Sequence, residues 1–236
     1  MISLVLRLAL ASTLPLLLFL FVDAKPGAGL IWDFANACGL MAAMTTLLLF
    51  AYSGRPMPKP CYDGKFFMNL HRNLGYAVVV LLGIHITLLL VTEPLVVEYL
   101  KPSASWPMLS GTVATIALIL LVPLSLPPLR QKLWRTHRRF KHWHLALSSA
   151  ALVLTTVHVT GSSFYTDEAW KTALWCVAVG AALIMPLRRE AESERNKAPR
   201  KRNMSAYASG LISGLVLWIL MLAAGFSMIA NIGLPL

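Results

Sequence analysis

Seven apolar runs alternate with short polar stretches along this chain, at approximately residues 2–22, 30–52, 70–91, 108–126, 143–161, 170–187 and 207–232. None shows the strict alternation of a half-buried strand, and each is far longer than a buried strand. A helix that crosses a bilayer needs about 20 apolar residues. A lipid environment leaves only helices and closed barrels able to satisfy every backbone group. The pattern therefore predicts an all-α, polytopic membrane helix bundle of about seven transmembrane helices. The first run carries Arg7 and ends in Val22-Asp23-Ala24, a sequence compatible with signal-peptide cleavage. Its length fits a span equally well, and it is read as a helix.

Composition agrees with the pattern. Of 236 residues, 57% are hydrophobic and 13% charged, with a mean hydropathy of +0.67, where soluble domains carry roughly 25% charge. This excludes a disordered chain, and three cysteines without CxxC spacing exclude a disulfide framework. Cys38 and Cys176 fall in predicted helices and Cys61 in a loop, which suits structural thiols. The net charge of +11 does not point to nucleic acid, because no basic domain with interleaved aromatics stands apart from the spans. The basic residues instead sit in alternate loops. The second, fourth and sixth loops hold 17 of them and the opposite loops only Lys25, Lys101 and Lys171. The positive-inside rule puts the 17 in the cytoplasm, with the N-terminus inside and, after seven helices, the C-terminus outside. Residues 188–206 read as a solvated connector. Trp106 and Trp170 read as interfacial anchors. No close internal repeat is visible in the residue types.

The chemistry lies in the histidines. His71 and His85 fall in the third helix, 14 residues apart, and His144 and His158 in the fifth at the same separation. Fourteen residues are nearly four turns and about 21 Å of axis, so both histidines of each helix share a face. The two helices have one span between them and run in the same direction. His71 is then level with His144, and His85 with His158. Ionisable residues within a membrane are costly and usually functional, and imidazole is the common axial ligand of haem iron. Zinc would require four ligands converging on one point. The spacing predicts two bis-histidine haems stacked between the third and fifth helices. A proton relay would not require equal spacing on two helices. Gly75 and Gly83 would let a flat macrocycle approach, as would Ala146 and Ser148, although small residues also serve plain helix packing. Arg72, with Arg138, Arg139 and Lys141, could pair with haem propionates, and topology alone accounts for the same charges. His137 is on roughly the same face as His144 and could compete as the inner ligand. Its charged surroundings, and the different direction of His142, leave both out of the ligand set.

The stretches LHRNLGYAVVVLLGIH and RRFKHWHLALSSAALVLTTVH resemble the two haem helices of ferric-reductase-like transmembrane proteins. That family includes the membrane halves of ferric reductases and NADPH oxidases, and MsrQ, the haem subunit of a periplasmic methionine sulfoxide repair system. The resemblance covers residues 30–187. It implies two b-type haems on His71, His85, His144 and His158, with electrons passing from a flavoprotein or quinol donor to an acceptor or redox protein outside a bacterial inner membrane. Residues 1–29 then form a first helix and outer loop, and 188–236 a basic connector and a seventh helix. That helix stands where many relatives continue into a flavin- and NAD(P)H-binding domain. No Gly-rich dinucleotide fingerprint is present, so flavin or quinone would come from a partner and the chain resembles an electron-transfer subunit. MsrQ-like proteins commonly lack the first histidine of the set, whereas His71 is present, which favours a two-haem conduit. An MsrQ-like subunit, or a haem-free transporter or assembly protein, are the alternatives.

Overall fold

The computed structural model describes residues 2–20, 22, 29–53, 62–134, 136–163, 165–193, 204 and 206–232. Its elements are α-helices α1 (Ile2–Leu20), α2 (Leu30–Ala51), α3 (Gly64–Thr92), α4 (Trp106–Ser125), α5 (Pro127–Leu133), α6 (His137–Ser162), α7 (Ala169–Ser193) and α8 (Tyr207–Ile232), with one 3-10 helix, Pro94–Leu100, before α4. Six of them, α2, α3, α4, α6, α7 and α8, are long and apolar enough to cross a membrane. The apolar part of α1, Leu4–Leu20, is shorter than these and contains Pro15. The residues around the cleavage-like Asp23, Cys61 and most of the basic 188–206 connector lie outside the described residues.

Two helices begin earlier than the hydrophobic pattern alone predicts, for one physical reason. Asp63 Oδ1 accepts the backbone N–H of Phe66 at 3.0 Å, and Thr136 caps α6 by accepting from Arg139 N at 3.4 Å. A capping oxygen satisfies an N–H that has no partner within the helix. It lets a helix start among polar residues, ahead of its apolar run. In consequence the basic stretch expected as a loop at 127–142 is helical for most of its length, as α5 and the first turns of α6. His137 and His142 are helical rather than in a loop, and both are exposed. His71 likewise lies well inside α3, and Arg72 beside it is exposed.

The chain divides into two compact units, residues 1–92 with 180–236, and residues 93–179. The division falls inside α7. In the first unit α2 and α3 pack antiparallel, with α8 and α1 against them. Its core includes Phe66, Phe67, Leu70 and Leu74 of α3 and Met41 of α2, all at 0% exposure. Polar bonds link the helices: Trp218 Nε1 donates to Thr13 Oγ1 at 2.9 Å, Ser227 Oγ to the Leu30 carbonyl, and Asn231 Nδ2 to Asp33 Oδ2 at 2.8 Å. Asp33 is 1% exposed, so this last bond supplies a donor to a carboxylate taken out of solvent. In the second unit α4 and α6 pack antiparallel. Gly161 admits the close approach of α6 to the start of α4, since a Cβ there would stand 2.4 Å from Pro107 Cγ. Trp106 and Trp170 are exposed at their helix starts.

Candidate functional site

His71 and His85 belong to the first unit and His144 and His158 to the second. In each unit the two rings are anchored to the antiparallel neighbour of their own helix. His71 Nδ1 is 2.8 Å from the carbonyl of Tyr52, which caps the end of α2. His85 Nδ1 is 2.8 Å from the carbonyl of Ala35 near the start of α2. In the second unit His158 Nδ1 is 3.0 Å from the carbonyl of Pro107 near the start of α4, and His144 Nδ1 is 3.2 Å from Ser125 Oγ at its end.

These contacts determine the tautomer. A carbonyl oxygen can only accept, so Nδ1 of His71, His85 and His158 must carry the proton. Ser125 has one hydroxyl proton and gives it to the Leu121 carbonyl at 2.6 Å. Its lone pair therefore accepts from His144 Nδ1–H. In the neutral ring, all four lone pairs then sit on Nε2. An imidazole that donates through Nδ1 and offers Nε2 has the form usual for a metal-ligating histidine. Two of the rings are also seated by glycines. A Cβ at Gly39 would lie 2.6 Å from His85 Nδ1, and a Cβ at Gly111 would lie 2.6 Å from His158 Nδ1. Both distances are shorter than real Cβ contacts, so only glycine leaves the ring where it is.

The two halves follow one plan. Tyr52 precedes His71 by 19 residues and Ser125 precedes His144 by 19. Ala35 precedes His85 by 50 residues and Pro107 precedes His158 by 51. In both units the seating glycine comes one helical turn after the acceptor, Gly39 after Ala35 and Gly111 after Pro107. The chain thus holds a repeat of 72 to 73 residues, where the sequence alone suggested no close repeat. It escapes notice because three of the four acceptors are main-chain carbonyls, which any residue provides. In the residue types it is carried by the histidines, equally spaced in both halves, and by the glycines, 46 residues before His85 and 47 before His158.

Other expected residues sit differently. Cβ atoms at Gly75 and Gly83 would meet nothing within 4 Å, so these glycines are not packed against a described neighbour. Cys38 is buried and Cys176 exposed, both as free thiols. Around His144, the Phe140 ring stands 5.3 Å away and the Arg130 guanidinium lies over Phe140 at 5.4 Å. A small cleft is lined by Ser125, Trp134, Phe140, His144 and leucines of α4 and α6. Among the described residues, Trp134 Nε1 is buried there without a hydrogen-bond partner, and in the first unit so is Ser53 Oγ, next to Tyr52. No three metal-ligating side chains converge among the described residues, and ligation by two imidazoles requires no such cluster.

Residues 38–155, half of the chain, match the family described as ferric reductase like transmembrane component. The chain belongs to the ferric-reductase-like transmembrane family. The match takes in Gly39, Gly111, Ser125 and three of the four anchored histidines, and it ends before His158. Comparison with curated proteins and with solved structures finds no match. Ferric-reductase-like domains are membrane components of transmembrane electron transfer and generally bind haem. The repeat described above continues about one turn of α6 past the matched residues, to a histidine seated like His85.

Proposed function

We propose that this chain is a two-haem b-type cytochrome for transmembrane electron transfer, with His71 and His144 holding an inner haem and His85 and His158 an outer one. The observation that carries the reading is the common anchoring of four histidines through Nδ1, which leaves Nε2 of each ring as the lone-pair nitrogen an iron would take. Haem supplies a reversible one-electron couple when bound. The chain's own share is to fix the rings, exclude water and provide donors at the margins. The fit of the residues to haem rests on donor chemistry. Imidazoles in one tautomer suit axial ligation, and the buried Trp134 Nε1 and Ser53 Oγ, without partners among the described residues, suit a ligand that brings its own acceptors, as propionates do. Arg72, exposed beside His71, is a further propionate partner on this reading.

The charge bias of the loops supports a cytoplasmic N-terminus and a multi-pass location in a bacterial inner membrane, with the His71–His144 tier toward the cytoplasm. Electrons then come from a flavoprotein or quinol and leave for an acceptor or redox protein outside the membrane. The basic α5–α6 stretch, with Arg130, Lys132, Arg138 and Arg139, suits an acidic donor.

The test is a visible spectrum and a haem count on the purified full-length protein. Two haems per chain are expected, with the Soret and split low-spin bands of bis-histidine ligation. His71→Ala and His85→Ala should each remove about half of the haem. A protein reconstituted with haem in the membrane that shows no Soret band would end the proposal and favour a haem-free transporter or assembly protein. Co-purification of a periplasmic reductase would identify an MsrQ-like subunit.

A further inference from the structure

Resting on the two-haem reading, we propose that Ser125 is a positioning residue that sets the redox potential of the haem on His144, making this tier electronically distinct from the other. Three anchors are main-chain carbonyls at 2.8, 2.8 and 3.0 Å; the fourth is a hydroxyl at 3.2 Å. A carbonyl is the stronger acceptor, and the shorter contacts belong to carbonyls. An acceptor on Nδ1–H pushes electron density through the ring and makes Nε2 a more basic ligand. A more basic ligand favours the oxidised metal and lowers its potential. Through Ser125, His144 thus receives a weaker push than a carbonyl would give, and its haem is the easier to reduce as far as this hydrogen bond decides.

The local structure makes Ser125 a controlled acceptor rather than an accidental neighbour. Its proton is committed to Leu121 at 2.6 Å, which turns a lone pair toward the ring. It is the last residue of α4, flanked by Pro123 within the helix and Pro127 at the start of α5. The polypeptide is thus constrained on both sides of the hydroxyl. The cleft it shares with His144 is walled mainly by apolar and aromatic side chains, where a hydrogen bond counts for more than in water. A main-chain carbonyl cannot be altered by substitution, whereas a side-chain hydroxyl can. Of the four anchors, only this one can be adjusted by changing a single residue type.

The experiment is a spectroelectrochemical titration of the full-length, haem-loaded protein, which resolves one wave for each haem. Ser125→Ala removes the acceptor and should move one wave upward while the other stays. Ser125→Asp supplies a carboxylate acceptor and should move the same wave downward. Ser125→Thr keeps the hydroxyl and should restore the wild-type titration. Loss of one haem alone in Ser125→Ala, recovered in Ser125→Thr, would support the positioning role by another route. Two waves that stay unmoved in both the Ala and Asp variants, or that shift together, would overturn the assignment of Ser125 while leaving two haems in place. Wild-type protein with fewer than two haems would instead overturn the two-haem reading on which the assignment rests.

Discussion

The α2–α3 pair and the α4–α6 pair carry the same histidine device in unlike surroundings. The most apolar stretch of α2 is 67% buried, whereas those of α4 and α6 are 17% and 11% buried. Around α2 and α3, the helices α8 and α1 complete a core with interhelical hydrogen bonds at Thr13, Leu30 and Asp33. The α4–α6 pair instead relies on close backbone approach at Gly161 and Pro107 and on the capped start of α6. Yet His85 and His158 are seated alike, each with a carbonyl on Nδ1 and a glycine beneath the ring. The antiparallel pair therefore carries the contacts that orient a histidine in both settings. The two pairs differ in the acceptor at the other end, a carbonyl for His71 and a hydroxyl for His144.

The sharpest way to break this equivalence is to remove one ligand from each pair. His85→Ala and His158→Ala should give the same product, a protein with about half the wild-type haem and an intact second wave. If only one of the two lost haem, the pairs would not be equivalent halves of one outer site. Next in size are the seating glycines. Gly39→Ala and Gly111→Ala each place a methyl group 2.6 Å from a histidine ring. Overpacking of this kind costs about 1–3 kcal/mol, and the ring must turn away from its carbonyl. Both variants should lose or perturb the outer haem while the inner haem keeps its spectrum. Gly75→Ala and Gly83→Ala provide the contrast, because a Cβ there meets nothing within 4 Å in the protein itself. Unchanged haem in Gly39→Ala and Gly111→Ala would show that the seating is not needed, whereas haem loss in Gly75→Ala or Gly83→Ala would report the approach of the macrocycle itself.

The difference in surroundings is tested by stability rather than by haem. Asn231→Leu removes a donor from Asp33, which is 1% exposed. Leaving a buried acceptor short of a partner costs about 1–3 kcal/mol. The loss should appear as a lowered thermal midpoint of the detergent-solubilised protein, with the haem potentials unchanged. A shift in the potentials would mean that the α2–α8 bond also orients His85.

The helices and the histidine spacing were legible in the sequence because both are periodic in side-chain type. Apolar runs mark spans, and an interval of 14 residues puts His71 with His85 and His144 with His158 on common faces. The starts of α3 and α6 were less legible, since Asp63 and Thr136 are caps set several residues ahead of the apolar pattern. The anchoring was hardest to read. Carbonyl oxygens of Ala35, Tyr52 and Pro107 leave no trace in residue identity, and a glycine gains its meaning only when a ring is found against it. Gly75 and Gly83 drew attention because they neighbour the histidines along the chain. Gly39 and Gly111, each on an adjacent helix, are the ones in contact.

The smallest expected effect concerns Trp134, and its sign is the useful part. Trp134 Nε1 is buried in the cleft beside His144 with no acceptor among the described residues. A buried donor without a partner is a cost to the folded chain, and Trp134→Phe removes the N–H while keeping an aromatic ring there. The haem-free protein should therefore be unchanged or stabilised, by no more than about 1 kcal/mol. If the indole donates to a haem propionate, the loaded protein should move the opposite way, with weaker retention of the inner haem. Measuring thermal midpoints with and without haem checks both signs at once. A variant that moves both midpoints in the same direction would mean that the N–H serves packing alone. The propionate contact in the α4–α6 pair would then have to come from its basic residues, as Arg72 is proposed to supply it in the other pair.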